Sequence, residues 1–100
     1  METGMDSAEA VAALGALAQE NRLALIRLLV QAGEAGMRAG VIAETMGIPN
    51  SSLSFHLTQL RLAGLVRRQQ NHRAITYTAN YEAMNALIGY LVEKCCGTSA

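Results

Sequence analysis

A chain of 100 residues is the size of one domain, because single cores span about 50–200 residues; a multidomain enzyme is excluded. The chain is 51% apolar and 16% charged, which excludes disorder, and alanine and leucine dominate over four aromatics, which favours helix over sheet. The formal net charge is zero, and no run approaches the ~20 apolar residues needed to cross a bilayer.

Asp6 followed by Glu9 predicts a capping box opening a first helix that carries Val11, Leu14 and Leu17 and ends before Asn21. Asn21 is the expected cap of a second helix, Arg22 to Ala32, with Leu25, Leu28 and Leu29 on one face and Gly33 as its stop. Residues 34–38 read as a loop. A short third helix is expected over 39–46, ended by Gly47. Pro49 forbids helix continuation through itself, and Asn50, Ser51 or Ser52 is placed to cap a fourth helix lasting to Gly64.

From Leu65 the texture changes. Leu65–Arg68 and Ala74–Thr78 read as two short strands around a polar turn, 69–73, in which Asn71 suits a positive φ. Asn80 then caps a last helix whose Met84, Leu87, Ile88, Leu91 and Val92 follow helical spacing. The order α-α-α-α-β-β-α describes a mainly α chain with a small β-hairpin. It is expected to be one winged helix-turn-helix domain over 1–100, with the helix-turn-helix at about 39–63 and the wing at about 65–78. The acidic N-terminus has no basic segment leading into an apolar run, so it does not read as a signal peptide. The expected address is the cytoplasm, with no membrane partner and with Cys95 and Cys96 as reduced thiols.

The neutral total hides an uneven distribution. From Thr45 to Tyr81 there is no Asp or Glu, while Arg61, Arg67, Arg68, Arg73, His56 and His72 all fall there. Such a block is suited to an anionic partner, or else is a solvated basic face. On the fourth helix, Leu53, Leu57 and Leu60 fall within about 60° of one another at 100° per residue, an inward stripe. The opposite face carries Ser51, Phe55, Thr58, Gln59 and Leu62, flanked by Ser52, Ser54 and Arg61. Hydroxyls, an amide and an arginine without an acid suit phosphates and base edges of double-stranded DNA. Phe55 would either sit against a thymine methyl or pack under the wing or against a neighbouring helix. His56, between the two faces, would either meet a phosphate or pack. Arg73, at the end of the wing turn, is placed to reach a minor groove or its phosphates. Arg67 and Arg68 are consecutive in a strand, so one of them faces DNA.

These residues resemble the arsenic-repressor (ArsR/SmtB) family of winged helix-turn-helix regulators. The likeness is carried by Ala18-Gln19-Glu20-Asn21-Arg22-Leu23, Ile42 through Pro49, Leu53-Ser54-Phe55-His56-Leu57, Ala63-Gly64-Leu65-Val66, Met84-Asn85-Ala86-Leu87 and the terminal Cys95-Cys96-Gly97. It implies a homodimer paired through the first and last helices, bound to operator DNA without ligand and released by a thiophilic or metal inducer. The cysteine pair that many members carry in the third helix is missing from 39–46, and the Asp and His ligands of zinc-sensing members are missing from 80–96. What remains is the C-terminal pair, as in a subgroup of arsenic sensors. The wing carries His72 where members often have glycine.

Cys95 follows Leu91 by four residues and Cys96 follows Val92 by four, so both thiols are expected on the face that, by resemblance, meets the partner. Neighbouring α-carbons ~3.8 Å apart disfavour an unstrained disulfide, whereas one soft atom can bond both sulfurs. The expected inducer is arsenic(III) or an organoarsenical(III), with antimony(III) as an alternative, and no cofactor is required. A third arsenic ligand would be hydroxide, a thiol from elsewhere or the arsenical's own carbon. The competing expectation is a redox or persulfide sensor using the same thiols. An enzyme is not expected, since the cysteines lack Cys-x-x-Cys spacing and a glycine-rich phosphate loop.

Overall fold

The computed structural model describes residues 4–93. Asp6 is extended and its Oδ1 accepts the Glu9 N–H at 2.8 Å, while Glu9 Oε1 accepts the Asp6 N–H at 2.9 Å. This reciprocal box opens helix α1, Ser7–Leu17. Helix α2, Glu20–Ala32, starts earlier than expected. Its cap is Gln19 rather than Asn21, with Gln19 Oε1 accepting the Arg22 N–H at 3.0 Å. Only Ala18 and Gln19 separate the two helices, so the still-extended Gln19 must cap while Asn21 already lies in the first turn.

The segment expected as a plain loop contains a 3-10 turn, Gly33–Ala35, and a bridge in which Met37 and Tyr77 exchange N–H···O bonds of 3.0 and 2.9 Å. Gly36 makes this possible. Its φ is +69°, and a Cβ there would stand 2.6 Å from the Tyr77 carbonyl oxygen. Helix α3, Ala39–Met46, ends as expected at Gly47, which is left-handed. Helix α4, Asn50–Leu62, is capped by the extended backbone of Pro49, with no side-chain capping bond. Asn50, Ser51 and Ser52, expected as candidate caps, all lie inside its first turn, because proline's fixed φ already supplies the entry geometry.

Strands β1, Val66–Asn71, and β2, Ala74–Ala79, pair antiparallel from Val66↔Ala79 to Asn71↔Ala74. The strands run further into the turn than expected, leaving His72 and Arg73 as a two-residue connection. His72, not Asn71, carries the positive φ, +59°. A tight hairpin of this kind needs φ > 0 at its first loop position, where glycine is the easiest residue. Helix α5, Tyr81–Val92, is capped by Asn80, whose Oδ1 accepts the Ala83 N–H at 3.2 Å. Asn80 Nδ2 also donates to the Gly64 carbonyl at 2.9 Å, and the Tyr81 hydroxyl donates to the Val30 carbonyl at 2.9 Å. The start of α5 is thereby moored to the end of α4 and to α2.

The core is aliphatic. Leu25, Ile26 and Leu29 from α2, Ile42 from α3, the expected stripe Leu53, Leu57 and Leu60 from α4, and Leu65 are buried together. Helix α1 contributes the small Ala10 and Ala13, and α5 contributes Leu87. The apolar stripe of α5 therefore divides. Ile88 and Leu91 remain 55% and 56% exposed, Val92 is exposed, and on α1 Val11 and Leu14 are exposed too. Cys95 and Cys96 lie outside the described residues.

Candidate nucleic-acid interface

Helix α4 turns Leu53, Leu57 and Leu60 inward, and this fixes what its other positions can do. Ser51, Ser52, Ser54, Phe55, Thr58 and Arg61 are exposed, and Gln59 is half-buried. Because Pro49 caps without a side chain, the first-turn amides keep hydrogen-bonding capacity beside the hydroxyls of Ser51 and Ser52. N–H groups and hydroxyls at a helix start are what a phosphate oxygen accepts from. Phe55 is 58% exposed and meets its neighbour His56 edge-on, with ring centroids 5.8 Å apart. More than half of its surface is open to water, which does not fit a ring packed away under the wing or against a neighbouring helix.

His56 does not lie on the outer face. It is 8% exposed, with Nδ1 3.3 Å from Arg22 Nη1. Of the two expected roles, packing is the one the structure gives it, and a phosphate contact would require the ring to leave its pocket. Burial lowers its pKa below the usual 6.5, and the Arg22 guanidinium lowers it further. The unfolded chain then takes up the proton first, so this group's contribution to stability is present above the unfolded value and is lost as pH falls from there through the folded value.

The hairpin completes the surface. A groove of about 480 Å³ between α4 and β1 is lined by Thr58, Arg61, Leu62, Val66, Arg67, Arg68 and Gln69. Arg73 is exposed in the wing connection, away from these groove-lining residues in the chain. The strand alternation left Arg67 and Arg68 undivided; the structure separates them by partner. Arg67 pairs with Glu82 of α5 at 3.5 Å, and both are largely exposed. Arg68 has no such partner among the described residues, and both arginines line the groove. Leu62, 78% exposed beside the groove, and Gln69 also belong to this surface. Sequence spacing put Leu62 on the outer face but carried no sign that β1 would run alongside it.

Within the described residues no group of three or more His, Cys, Asp and Glu could hold a metal, and no helix is long and apolar enough to cross a membrane. An acid-free helix face beside a basic hairpin groove, on an α-turn-α-β-β scaffold, defines a winged helix-turn-helix DNA-binding protein.

Residues 17–69 match a helix-turn-helix domain family. The chain is 33% identical to the HTH-type transcriptional regulator YgaV of Escherichia coli, over 88% of this chain and 87% of that one. It is 30% identical to the transcriptional activator HlyU of Vibrio cholerae, over 95% and 85% of the two chains. A solved ArsR-like transcriptional regulator from Rhodococcus sp. superposes with a TM-score of 0.77 at 25% identity, over 87% of this chain and 78% of that one. Reduced HlyU from Vibrio cholerae superposes at 0.66 with 32% identity, over 85% and 90%. The chain belongs to this helix-turn-helix family and is a transcriptional regulator of the ArsR/HlyU type. Its relatives are DNA-binding regulators, not enzymes.

Proposed function

We propose that the chain is a homodimeric repressor that binds operator DNA through α4 and the wing, and that releases it when a trivalent arsenical bridges Cys95 and Cys96. The observation that carries this reading is the uncovered apolar face of α1 and α5, with Val11, Leu14, Ile88, Leu91 and Val92 exposed. In a domain this small, about 25 cal/mol is at stake for each Å² of such surface removed from water, and a second copy offers a matching face by two-fold symmetry. In sequence that face leads directly into Cys95 and Cys96, four residues beyond Leu91 and Val92.

Two soft thiolates prefer thiophilic centres to hard cations. Arsenite would exchange two As–OH groups for two As–S bonds with loss of two waters, keeping hydroxide as its third ligand; an organoarsenical would keep its carbon, and antimony(III) would follow the same exchange. A ligand shifts DNA occupancy only by its differential affinity for the two dimer arrangements. A coupling of about 1–3 kcal/mol would change DNA affinity about 5–150-fold.

The test is DNA release by arsenite, methylarsenite and phenylarsenite from wild type and from Cys95→Ser/Cys96→Ser. The double variant is expected to bind DNA and to hold it in the presence of every arsenical. Release from that variant overturns the sensing role. A second reading, a redox or persulfide sensor on the same thiols, is supported by one relative having been solved as reduced HlyU. Release by peroxide or polysulfide, with none by arsenicals, would select it.

A further inference from the structure

Arg22 stands in the first turn of α2 and reaches two other helices. Its Nε donates to the Ala16 carbonyl at 2.7 Å, and its Nη1 lies 3.3 Å from His56 Nδ1. Ala16 sits in the last turn of α1, where carbonyls have no intrahelical partner. A guanidinium has donors only, so His56 Nδ1 must accept, and the ring's own proton is on Nε2. The rest of α4's inward face, Leu53, Leu57 and Leu60, is apolar. Apolar packing is non-directional, and the His56 bond adds the direction.

We infer that Arg22 is a positioning residue for DNA binding: bonded to Ala16 O and His56 Nδ1, it fixes α4 against the end of α1, and this bridge holds only while His56 is neutral. The inference rests on the reading of α4 as the DNA-contacting helix. Protonated at Nδ1, His56 would point a donor at a guanidinium 3.3 Å away, and the bond would be lost to like charge and donor–donor repulsion. The charged group acting on the ring is Arg22. The other charged groups on elements packed against α4 are Glu9 of α1, Glu20 and Arg27 of α2, Glu44 of α3, and Arg67 and Arg68 of β1. Among the described residues none of these carboxylates forms an ion pair with the ring, so none offsets that repulsion.

The test compares wild type with His56→Gln, whose amide oxygen can accept from Arg22 at any pH. Binding is read by anisotropy on a labelled duplex selected by the wild type from a random-sequence pool at pH 7.5, in about 0.3 M salt to screen distant charges. His72, exposed in the wing, is common to both proteins and cancels. The two are expected to bind alike at pH 7.5, and the wild type to lose about tenfold more affinity by pH 5.5, equal to about 1.4 kcal/mol. Nitrogen-15 spectra of the wild type should show His56 Nδ1 unprotonated and accepting at pH 7.5. Should His56→Gln fail to fold, Arg22→Gln takes its place, with weaker binding at pH 7.5 and a flatter profile. Parallel profiles, or a ring protonated on Nδ1, overturn the bridge. If Thr58→Ala and Arg61→Ala both leave affinity unchanged, the reading of α4 fails and takes the inference with it; weakened binding by those two with parallel pH profiles overturns the bridge alone.

Discussion

Along α4 and the hairpin most exposed side chains are hydroxyls, amides and arginines, with Phe55 and Leu62 as apolar exceptions, whereas along α1 and α5 Val11, Leu14, Ile88, Leu91 and Val92 are exposed beside Ser7, Glu9, Glu82 and Asn85. One small aliphatic core supports both surfaces, but water treats them differently. The polar surface is well hydrated alone and gains from an anion chiefly by releasing counterions, an exchange that salt reverses. The apolar surface is unfavourable in water at all times and calls for a lasting cover. On the proposed reading, a regulator built this way keeps one partner, its second copy, and exchanges the other, DNA.

The largest expected effect breaks the lasting interface. Ile88→Glu with Leu91→Glu places carboxylates where two half-exposed aliphatic side chains stand, each worth about 1.5–3 kcal/mol if fully buried and each occurring twice in a two-fold dimer. The dimer dissociation constant should rise at least about 1,000-fold by sedimentation equilibrium, and DNA binding should fall with it. A monomeric wild type, or an unchanged dimer, would remove the distinction drawn between the surfaces.

Gly36→Ala acts on the scaffold between them. The left-handed φ and the 2.6 Å approach to the Tyr77 oxygen lead to an expected loss of about 2–3 kcal/mol in urea unfolding, through the Met37–Tyr77 bridge. Arg61→Ala and Arg68→Ala act on the exchanged surface alone. Each should weaken DNA binding several-fold and lower the slope of log affinity against log salt by about 0.9 for each lost phosphate contact, about 1.8 for the two copies in a dimer, with dimerisation unchanged. The smallest effect is expected for Arg67→Ala. Its pair with Glu82 is 55% and 88% exposed at the side chains, and such pairs contribute under about 1 kcal/mol, so thermal unfolding should barely move.

What could be read from the residues was set by local chemistry. The Asp6–Glu9 box, the Gly47 stop, the Asn80 cap and the Leu53-Leu57-Leu60 stripe each depend on neighbours within a turn or two, and each stands where spacing put it. The differences arise where the exact end of one element, or a distant segment, decides. Gln19 caps α2 because α1 ends one residue before Ala18, and the 34–38 segment acquires a bridge because Tyr77 lies beside Met37. His72 takes the positive φ because pairing extends to Asn71↔Ala74. On α4, the outward placement of the serines, Phe55, Thr58 and Arg61 was legible from helical phase alone. The partner of His56 was not, since Arg22 is 34 residues away in sequence, nor was the pairing of Arg67 in β1 with Glu82 in α5.

The separation of a kept and an exchanged surface is tested most directly by hydrogen exchange on one sample, free and DNA-bound, at concentrations above and below dimer dissociation. Backbone amides of α1 and α5 should gain protection on raising the protein concentration and little more from DNA, while those of α4 and the wing should gain it from DNA. DNA-induced protection centred on α1 and α5, with α4 and the wing unchanged, would contradict the account.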